Sequence, residues 1–551
     1  MRIAIYVLLN AVVVSAILGL RSEESGTLTL SIVDDESGMP VPARVELLDG
    51  AGKPFLADDA LAVGWDGGVG AQSKGPWQGT LEEWRRGFYK EVPNPFTKTT
   101  QFYIVGASRF SLAPGTYRLR AFKGVEYRVQ NHEIKIEEGK TAELVVRMSR
   151  WIDMPKRGWY GSDAHLHIAR PFKEVDPDLS KWMQAEDLHV ANLLQWGHSY
   201  HFYNTIQYAH GGAGVYQEGN HLLAPGQENP RTYFLGHAIV LGAPEPIHFA
   251  DDYLSYGRVF RKAREEKAVA GYAHAAKGRS GFPNPLGLAI DLPGGMIDFI
   301  EVLQYKKGAY HFWYDALNLG FRIAPVAGTD YMKPGGTLPG RDRFYTRVDG
   351  PLTYSAWLEG IRRGRTFVTN GPMLEFEVDG KGIGDEVVLK APSSVRVAGR
   401  VRFNPEWDDV KQVEILKNGA VERSVERGNA PGEIPFQFEL EAKESIWLAL
   451  RVSGLKVGEI PGIRSEAHSG AIYLTLEGAP RISVQYKGKS VADLWMERLD
   501  ELEKLLAEEN LPKLAAPERH DGVTEETLRK SRAKLLESIR SARAFYGQPA
   551  R

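Results

Sequence analysis

Two histidines separated by a single residue, His165 and His167, are the side chains of this sequence best suited to bind a metal ion. In an extended strand the side chains of residues i and i+2 point to the same face, so both imidazoles can reach one cation at about 2.0–2.1 Å. The alternative is a pair of histidines on a solvated strand face. Eleven of the fourteen histidines lie between His165 and His311, and this clustering favours the metal site.

Other potential ligands stand at the ends of short apolar runs in the same region. They are carboxylates and imidazoles, namely Glu228, His237, His274, Glu301 and Asp330. The chain has no cysteine, which excludes disulfides and thiolate-bound zinc, so any metal must be held by histidine and carboxylate. Such ligands suit Zn²⁺, Mn²⁺ or Fe²⁺ without distinguishing among them.

The elements that must position these residues alternate between apolar strands and helices. Strands are predicted at 190–194, 238–241, 269–273, 299–303, 323–327 and 366–369. Helices are predicted at 178–187, 253–266, 309–319 and 353–363. This alternation is typical of a parallel sheet, closed or open. In a (β/α) barrel the chemistry collects at the carboxyl ends of the strands, where the candidate ligands stand.

The flanking regions have a different pattern. Alternating polar and apolar residues before 151 and again from 371 to 478 predict two β-sandwiches. The tail is predicted to be helical: Ser490 can cap one helix with Asp493 at the third position, and Thr524 can cap a second helix that runs to Tyr546. An apolar stripe on the first helix indicates packing within the molecule.

Length and charge limit the class of protein. A chain of 551 residues should divide into three or four domains. Its formal net charge is −2, with acids and bases interspersed, so nucleic-acid binding is excluded as a function. The expected partner is a small-molecule substrate, and the oligomeric state cannot be read from the sequence.

The N-terminal segment resembles an export signal. Met1 and Arg2 precede a nearly uninterrupted apolar run from residue 3 to residue 20, followed by polar residues. The expected location is periplasmic or extracellular. The alternative is an uncleaved membrane anchor, because the run is almost long enough to span a bilayer.

Several motifs together resemble a known enzyme family. They are Gly-Trp-Tyr-Gly at 158–161, Leu-Asn-Leu-Gly-Phe-Arg at 317–322, Ala-Gly-Thr-Asp at 327–330 and Gly-Arg-Thr-Phe-Val-Thr-Asn-Gly-Pro at 364–372. With the His-x-His pair, they are similar to the CehA/McbA family, named after carbaryl hydrolases, within the PHP (polymerase and histidinol phosphatase) superfamily of metallohydrolases. The resemblance covers roughly residues 150 to 372.

The resemblance implies a multidomain fold of α/β and all-β parts. Its core would be a distorted (β/α)7 barrel of the PHP type, flanked by two β-sandwiches and followed by a C-terminal helical hairpin. The expected segments are a signal peptide or anchor at 1–22, an N-terminal β-sandwich like carboxypeptidase regulatory domains at 25–150, the barrel at 155–371, a second β-sandwich at 372–480 and the helical hairpin at 488–551.

The resemblance also implies which residues hold metals. His165, His167, Glu228 and Asp330 would hold one ion. A second ion would be held by Glu228, His237 and His274, with Glu228 bridging. Asp330, Glu228 and Glu301 would take part in catalysis, although Glu301 suits the orientation of a ligand as well as direct binding.

The sequence departs from the superfamily pattern at the third metal position. The acidic residue that the superfamily has shortly after its His-x-His pair is not evident near Phe172. The expected Thr-Asp-His reads Gln-Trp-Gly-His at 195–198, and Met332 replaces the histidine two residues after Asp330. We therefore expect one or two metal ions. His198 is either a remnant of the third site or a substrate contact.

The implied function is hydrolysis of an ester, carbamate or amide by metal-activated water. One or two cations suffice to activate water and polarise a neutral carbonyl, whereas three suit a phosphate dianion. Two alternatives stay open. One is a phosphoesterase of the PHP type, and the other is a non-catalytic surface or glycan-binding protein on a degenerate barrel.

Overall fold

A computed structural model describes residues 25–64, 79–94, 97–275, 285–304, 307–428, 430–457, 464–478, 484–486 and 488–548. The chain is mostly β, in several sheets, and has a helical C-terminal region. The expected export segment, 1–22, lies outside the described residues. Within the described ranges, none of the helices has the length and hydropathy needed to cross a bilayer.

The strands of the described residues are named in chain order. They are β1 (Gly26–Asp34), β2 (Pro42–Asp49), β3 (Val92–Pro93), β4 (Thr100–Val105), β5 (Ala107–Leu112), β6 (Gly115–Phe122), β7 (Gln130–Ile136), β8 (Thr141–Met148), β9 (Trp159–Leu166), β10 (Val190–His198), β11 (His201–Asn204), β12 (Tyr216–Glu218), β13 (His221–Thr232), β14 (Gly236–Leu241), β15 (Val269–Tyr272), β16 (Phe299–Gln304), β17 (Lys307–Gly308), β18 (Ala324–Ala327), β19 (Arg343–Arg347), β20 (Thr366–Thr369), β21 (Met373–Val378), β22 (Lys381–Gly382), β23 (Glu386–Leu389), β24 (Ser393–Arg402), β25 (Asp408–Lys417), β26 (Ala420–Val425), β27 (Glu433–Ala442), β28 (Ile446–Val457), β29 (Glu466–Ser469), β30 (Ile472–Leu476), β31 (Gln485–Tyr486) and β32 (Lys489–Ser490).

The α-helices are named in the same way. They are α1 (Leu81–Arg85), α2 (Asp176–Ala185), α3 (Tyr256–Glu265), α4 (Gly287–Asp291), α5 (His311–Asn318), α6 (Tyr354–Arg362), α7 (Val491–Leu505), α8 (Leu511–Glu518) and α9 (Glu525–Tyr546). Single 3-10 turns lie at Pro155–Arg157, Lys173–Val175, Gly211–Gly214, Ala250–Asp252, Leu292–Gly294, Glu508–Asn510 and Arg519–Asp521. The four helices predicted before residue 364 are present as α2, α3, α5 and α6, with ends that differ by three residues or fewer.

The N-terminal strands form two sheets, in the orders β5-β1-β8 and β3-β4-β2-β6-β7. Side chains from both sheets meet in one hydrophobic core, which includes Leu30, Val45, Leu119 and Val146. In β1 buried residues alternate with partly exposed ones, because one face of the strand packs on this core and the other faces solvent.

The central sheet carries the candidate ligands. Its strands pair in the order β20-β19-β9-β10-β13-β14-β15-β16-β18. The first and last strands of this order also meet, since the Thr366 hydroxyl on β20 donates to the Pro325 carbonyl on β18 at 2.8 Å. Strands β9, β10, β16 and β18 are buried along almost their whole length, as expected for a sheet covered on both faces.

The expectation of a parallel sheet is wrong for part of this region. Strands β9, β10 and β13 are parallel, and so are β15, β16 and β18, but β14 runs antiparallel to both of its neighbours. The reason is the connection: Thr232 pairs with Gly236, so only a short turn joins β13 to β14, and a turn of that length reverses the chain. A parallel crossover would need a dozen or more residues.

The C-terminal strands form a second body of sheet around a separate hydrophobic core. One sheet has the order β22-β21-β24-β27, while β23, β25, β26, β28, β29 and β30 pair with one another and reach the central sheet through β20 and β29. The shared core includes Leu374, Val397, Ile415 and Leu450.

The helical tail begins as the sequence predicts and is more complex than a hairpin. Ser490 caps α7 in a reciprocal arrangement with Asp493, and Thr524 caps α9, which ends at Tyr546. A third helix, α8, lies between them. Its prolines made it hard to predict, but Pro512 occupies the first turn, where no amide donor is needed, and Pro517 stands one residue before the end.

Gly371 lies where the central sheet leads into the C-terminal strands. A Cβ atom at this position would lie 2.3 Å from Oδ1 of Asp408, so the close approach requires glycine. Asp408 is buried and accepts a hydrogen bond from the Ser465 hydroxyl at 3.0 Å. Burial raises the pKa of Asp408 to about 7, and the Ser465 hydroxyl opposes this effect only in part.

Asp408 should make the folded protein less stable as the pH rises. Folding raises the pKa of this acid from 3.8 to about 7, so stability is lost as the pH rises between those values. The Asp408→Asn side chain cannot ionise, so this variant should not show the fall in the free energy of unfolding, which in the wild type is on the order of 4 kcal/mol. Unfolding midpoints measured across this pH range test the expectation. Asp409→Asn, at a partly exposed side chain paired with Lys411, is the control. Parallel curves for wild type and Asp408→Asn would contradict the prediction.

Candidate metal centre

The two histidines of the His-x-His pair lie at the carboxyl end of β9, and both rings are fully buried. Their Nε2 atoms approach to 3.1 Å. On its other side, the His167 ring directs Nδ1 to the carbonyl of Leu194 at 3.3 Å. Because a carbonyl only accepts, Nδ1 of His167 carries the hydrogen and Nε2 presents a lone pair to the site.

A carboxylate orients the ring of His165 in the same way. Its Nδ1 lies 3.3 Å from Oε2 of Glu301, which also accepts the backbone N–H of His274 at 2.7 Å. With its hydrogen on Nδ1, His165 likewise presents the lone pair of Nε2. The two nitrogens therefore face each other between buried rings, an arrangement that needs a positive charge between them.

Two carboxylates complete this group of ligand atoms. The Nε2 atom of His165 lies 3.5 Å from oxygens of both Glu228 and Asp330, and that of His167 lies 3.4 and 3.3 Å from the same two side chains. Ligand atoms that surround a cation tetrahedrally at 2.0–2.1 Å are about 3.4 Å apart. The two imidazole nitrogens lie at about this spacing from each other, from Oδ1 of Asp330 and, each through a different oxygen, from Glu228, so these residues could hold a divalent metal.

A second group of possible ligand atoms also includes Glu228. Oε1 of this side chain lies 2.7 Å from Nδ1 of His237 and 3.2 Å from Nε2 of His274. Among the described residues, three overlapping sets of ligand atoms could hold an ion: His165, His167 and Glu228; His165, His274 and Asp330; and Glu228, His237 and His274. All six expected metal ligands thus come together, with Glu228 common to two of the sets.

The electrostatics of the centre favour added positive charge. Burial lowers the pKa of His165, but the surrounding carboxylates, Asp330 first, outweigh burial and raise that pKa well above its usual value. Burial raises the pKa of Glu228, but Arg231 and the neighbouring imidazoles reverse this and hold it well below its usual value. Glu228 and Asp330, whose pKa values are both lowered, therefore stay charged, and they favour either protons on His165 and His167 or a metal that displaces those protons.

Asp163 holds the strand end that carries the two histidines. Its Oδ1 accepts the backbone N–H groups of His165 at 2.9 Å and Thr329 at 3.1 Å. Its Oδ2 accepts the Thr329 hydroxyl at 2.6 Å and the backbone N–H of Gly340 at 2.9 Å. This one carboxylate therefore joins the His-x-His strand to the loop that carries Asp330.

Close packing and backbone strain are found in the loops that carry the candidate ligands. A Cβ atom on Gly328 would lie 2.3 Å from Oε1 of Glu301 and 2.5 Å from Cβ of His165, so only glycine fits there. Two of the candidate ligands, His274 and Asp330, have positive φ angles of 30° and 49°. Non-glycine residues adopt such angles at a cost, and they are often found at functional sites.

Several neighbours of the centre were not singled out from the sequence. Arg231 lies 3.2 Å from Oε2 of Glu228 and stacks 4.3 Å above the ring of Trp196. Its other partner, Asp521, comes from the C-terminal region and lies 3.1 Å away. The spacing of Arg231 three residues after Glu228 was a weak signal, but nothing in the sequence pointed to Asp521.

His198 is the residue that the sequence offers as a remnant of a third metal site or as a substrate contact. His198 stands at the end of β10, where its ring lies 5.2 Å from that of Tyr200. It belongs to none of the ligand sets that the described part of the chain forms. The expectation of one or two ions stays a prediction.

No protein-family model matches the chain, and no curated protein matches it. Among solved structures, the chain is similar to GBS52, a minor pilin of Streptococcus agalactiae, at 17% identity over 24% of this chain and 46% of that one, with a TM-score of 0.13. It is also similar to an engineered protein, at 13% identity over 37% of this chain and 48% of that one, again with a TM-score of 0.13. The chain spans about half the length of these structures.

Replacement of Asp163 should weaken metal binding without removing a ligand. In Asp163→Asn one oxygen becomes an amide NH2 that cannot accept, so the contacts that fix the His165 strand against the Asp330 loop are partly lost. Loss of such supporting contacts typically reduces metal affinity 10- to 100-fold. Competition with a chromophoric chelator for Zn²⁺ measures the change. Thr329→Val, which removes one of the four donors, should lose less, and an unchanged affinity in Asp163→Asn would refute the role.

Proposed function

We propose that this protein is a metal-dependent hydrolase that directs activated water at a carbonyl-type bond, in an ester, carbamate or amide, of a small organic substrate. One observation carries the proposal. The Nε2 atoms of two buried histidines lie 3.1 Å from each other and 3.3–3.5 Å from oxygens of two carboxylates. The resemblance of the motifs around these residues to the CehA/McbA family of the PHP superfamily supports it independently.

The same resemblance leads us to propose a distorted (β/α)7 barrel of the PHP type at 155–371, between two β-sandwiches. The order of seven consecutively paired strands, β9, β10, β13, β14, β15, β16 and β18, supports this fold. Two further strands, β19 and β20, lie between β9 and β18 and complete the ring, where the Thr366 hydroxyl of β20 donates to the Pro325 carbonyl of β18. The candidate ligands cluster at one end of these strands, as in other barrel enzymes.

Each residue has a proposed role. His165, His167, Glu228 and Asp330 would hold one ion, and Glu228, His237 and His274 a second. Zn²⁺, Mn²⁺ or Fe²⁺ bound there would lower the pKa of water and polarise a substrate carbonyl. Glu301 fixes the ring of His165. Asp330, the most exposed of the three carboxylates at 12%, is suited to accept the proton that water gives up.

The surroundings favour a neutral carbonyl over a phosphate. Arg231, the cation beside Glu228, is paired on both sides by carboxylates and stacks on Trp196, so it is not free to clamp a phosphate dianion. Exposed apolar side chains near the ligand loops, Tyr200 and Met332, suit an organic substrate with an apolar part.

Paired substrates test the reaction class. The protein purified from metal-supplemented medium should contain one or two equivalents of Zn²⁺, Mn²⁺ or Fe²⁺, and should hydrolyse an aryl acetate or aryl carbamate faster than the matched aryl phosphate. Faster release from the phosphate would favour the phosphoesterase alternative. A metal content near zero after reconstitution would favour a binding protein on a degenerate barrel.

His165→Ala should abolish both metal content and turnover. The variant removes an Nε2 ligand that faces His167, Glu228 and Asp330, and so breaks the ligand set on which the proposed ion depends. Elemental analysis and initial rates measure the effect. His132→Ala, on β7 of the N-terminal sheets, is the matched control and should keep both. Undiminished hydrolysis in His165→Ala would refute the proposed function.

A further inference from the structure

We propose that Asp521, supplied by the C-terminal helical region, is a positioning residue of the metal centre that acts through Arg231 on Glu228. This inference rests on the proposed metal-dependent function. It assigns a part of the site to a region more than 280 residues away along the chain.

Arg231 bridges the two carboxylates. Its NH1 atom lies 3.2 Å from Oε2 of Glu228, and its Nε atom lies 3.1 Å from Oδ1 of Asp521. Asp521 and Glu228 have side-chain exposures of 0% and 2%, and Arg231 has 11%. The contact with Glu228 is a hydrogen bond and the contact with Asp521 is an ion pair. A guanidinium spreads its charge over a plane and can serve both carboxylates, unlike the point charge of a lysine ammonium.

The guanidinium has little freedom to move from this position. Its plane stacks 4.3 Å above the ring of Trp196, which in turn stands edge-on to His167 with ring centroids 6.1 Å apart. The backbone N–H of Arg231 donates to the Tyr253 hydroxyl at 3.0 Å. Arg231 is therefore a rigid link between Asp521 and the bridging ligand.

The segment that carries Asp521 is fastened to the same loops. Glu518 is buried, and its two oxygens accept the backbone N–H groups of Tyr233 and Phe234 at 3.0 and 3.1 Å, in the turn between β13 and β14. The Asp521 carbonyl accepts the Ser199 N–H at 2.9 Å. A Cβ atom on Gly522 would lie 2.9 Å from the Tyr200 ring, so this contact is close.

The charges give this link a consequence for metal binding. A guanidinium next to Glu228 competes with a divalent cation for that carboxylate and repels the cation. Asp521 offsets the charge of Arg231 and holds its guanidinium in place, so Glu228 keeps its orientation and its affinity for the metal. In a buried site such neighbours act at low effective dielectric and are poorly screened.

The test compares metal affinity in variants of the full-length protein. Asp521→Asn keeps the shape of the side chain and removes its charge, so Zn²⁺ and Mn²⁺ affinity, measured by chelator competition, should fall 10- to 100-fold. In the double variant Arg231→Gln with Asp521→Asn the repelling cation is gone as well, and most of the affinity should return. The Co²⁺ absorption spectrum of each variant reports whether the ligand geometry changes.

A matched control separates this effect from general loosening of the C-terminal region. Asp315 on α5 is another buried carboxylate that contacts the tail: it accepts from the Trp495 indole at 3.1 Å and lies 3.8 Å from Arg498. Asp315→Asn makes the same chemical change at a place remote from the metal ligands. It should lower the unfolding midpoint of the metal-free protein and leave the metal dissociation constant unchanged.

The outcomes are distinct. If wild type binds no metal, the proposed function fails. If wild type binds metal and Asp521→Asn binds it equally well, or if the double variant stays as weak as Asp521→Asn, this inference alone is wrong. If Asp521→Asn does not fold, Arg231→Lys replaces it as the test, because lysine keeps the positive charge but not the planar guanidinium. Metal binding about tenfold weaker than in wild type would support the link from Asp521 through Arg231 to Glu228, and wild-type affinity would overturn it.

Discussion

Two imidazole nitrogens that approach to 3.1 Å on fully buried rings cannot be stable without positive charge between them, supplied by a proton or by a metal. The hydrogen-bond acceptors behind the rings, the Leu194 carbonyl and the Glu301 carboxylate, determine this orientation. The rest of the candidate centre follows from this constraint: carboxylates lie around the two nitrogens at the spacing that a tetrahedral cation requires.

A site of this kind demands that several chain segments be held to within a fraction of an ångström, and the fold does so with few contacts. One carboxylate, Asp163, receives four donors from three segments. Gly328 lets the Glu301 and His165 side chains come together where any Cβ would separate them. The positive φ angles of His274 and Asp330 are tolerated because the surrounding strands and hydrogen bonds leave no alternative path for the chain.

The sequence predicted well what depends on local periodicity. The His-x-His pair converges because strand geometry repeats every two residues, and the caps at Ser490 and Thr524 form because capping involves residues three apart. The direction of β14 was missed because it depends on the length of a turn, Tyr233 to Leu235, rather than on any apolar pattern. The partnership of Arg231 with Asp521 was missed for a different reason: an ion pair between remote segments leaves no trace in residue spacing.

This last contact changes how the helical tail should be understood. An apolar stripe on α7 explains why the tail packs on the central region, and burial of Trp495, Leu499 and Leu502 accounts for that packing without any functional role. Packing alone does not explain buried carboxylates at Glu518 and Asp521, because burying a charge is unfavourable unless it is matched by specific partners. Those partners are backbone donors and the guanidinium beside Glu228. A metal bound at Glu228 would be linked to the order of residues 518–522 through one arginine, so each would stabilise the other by the same free energy.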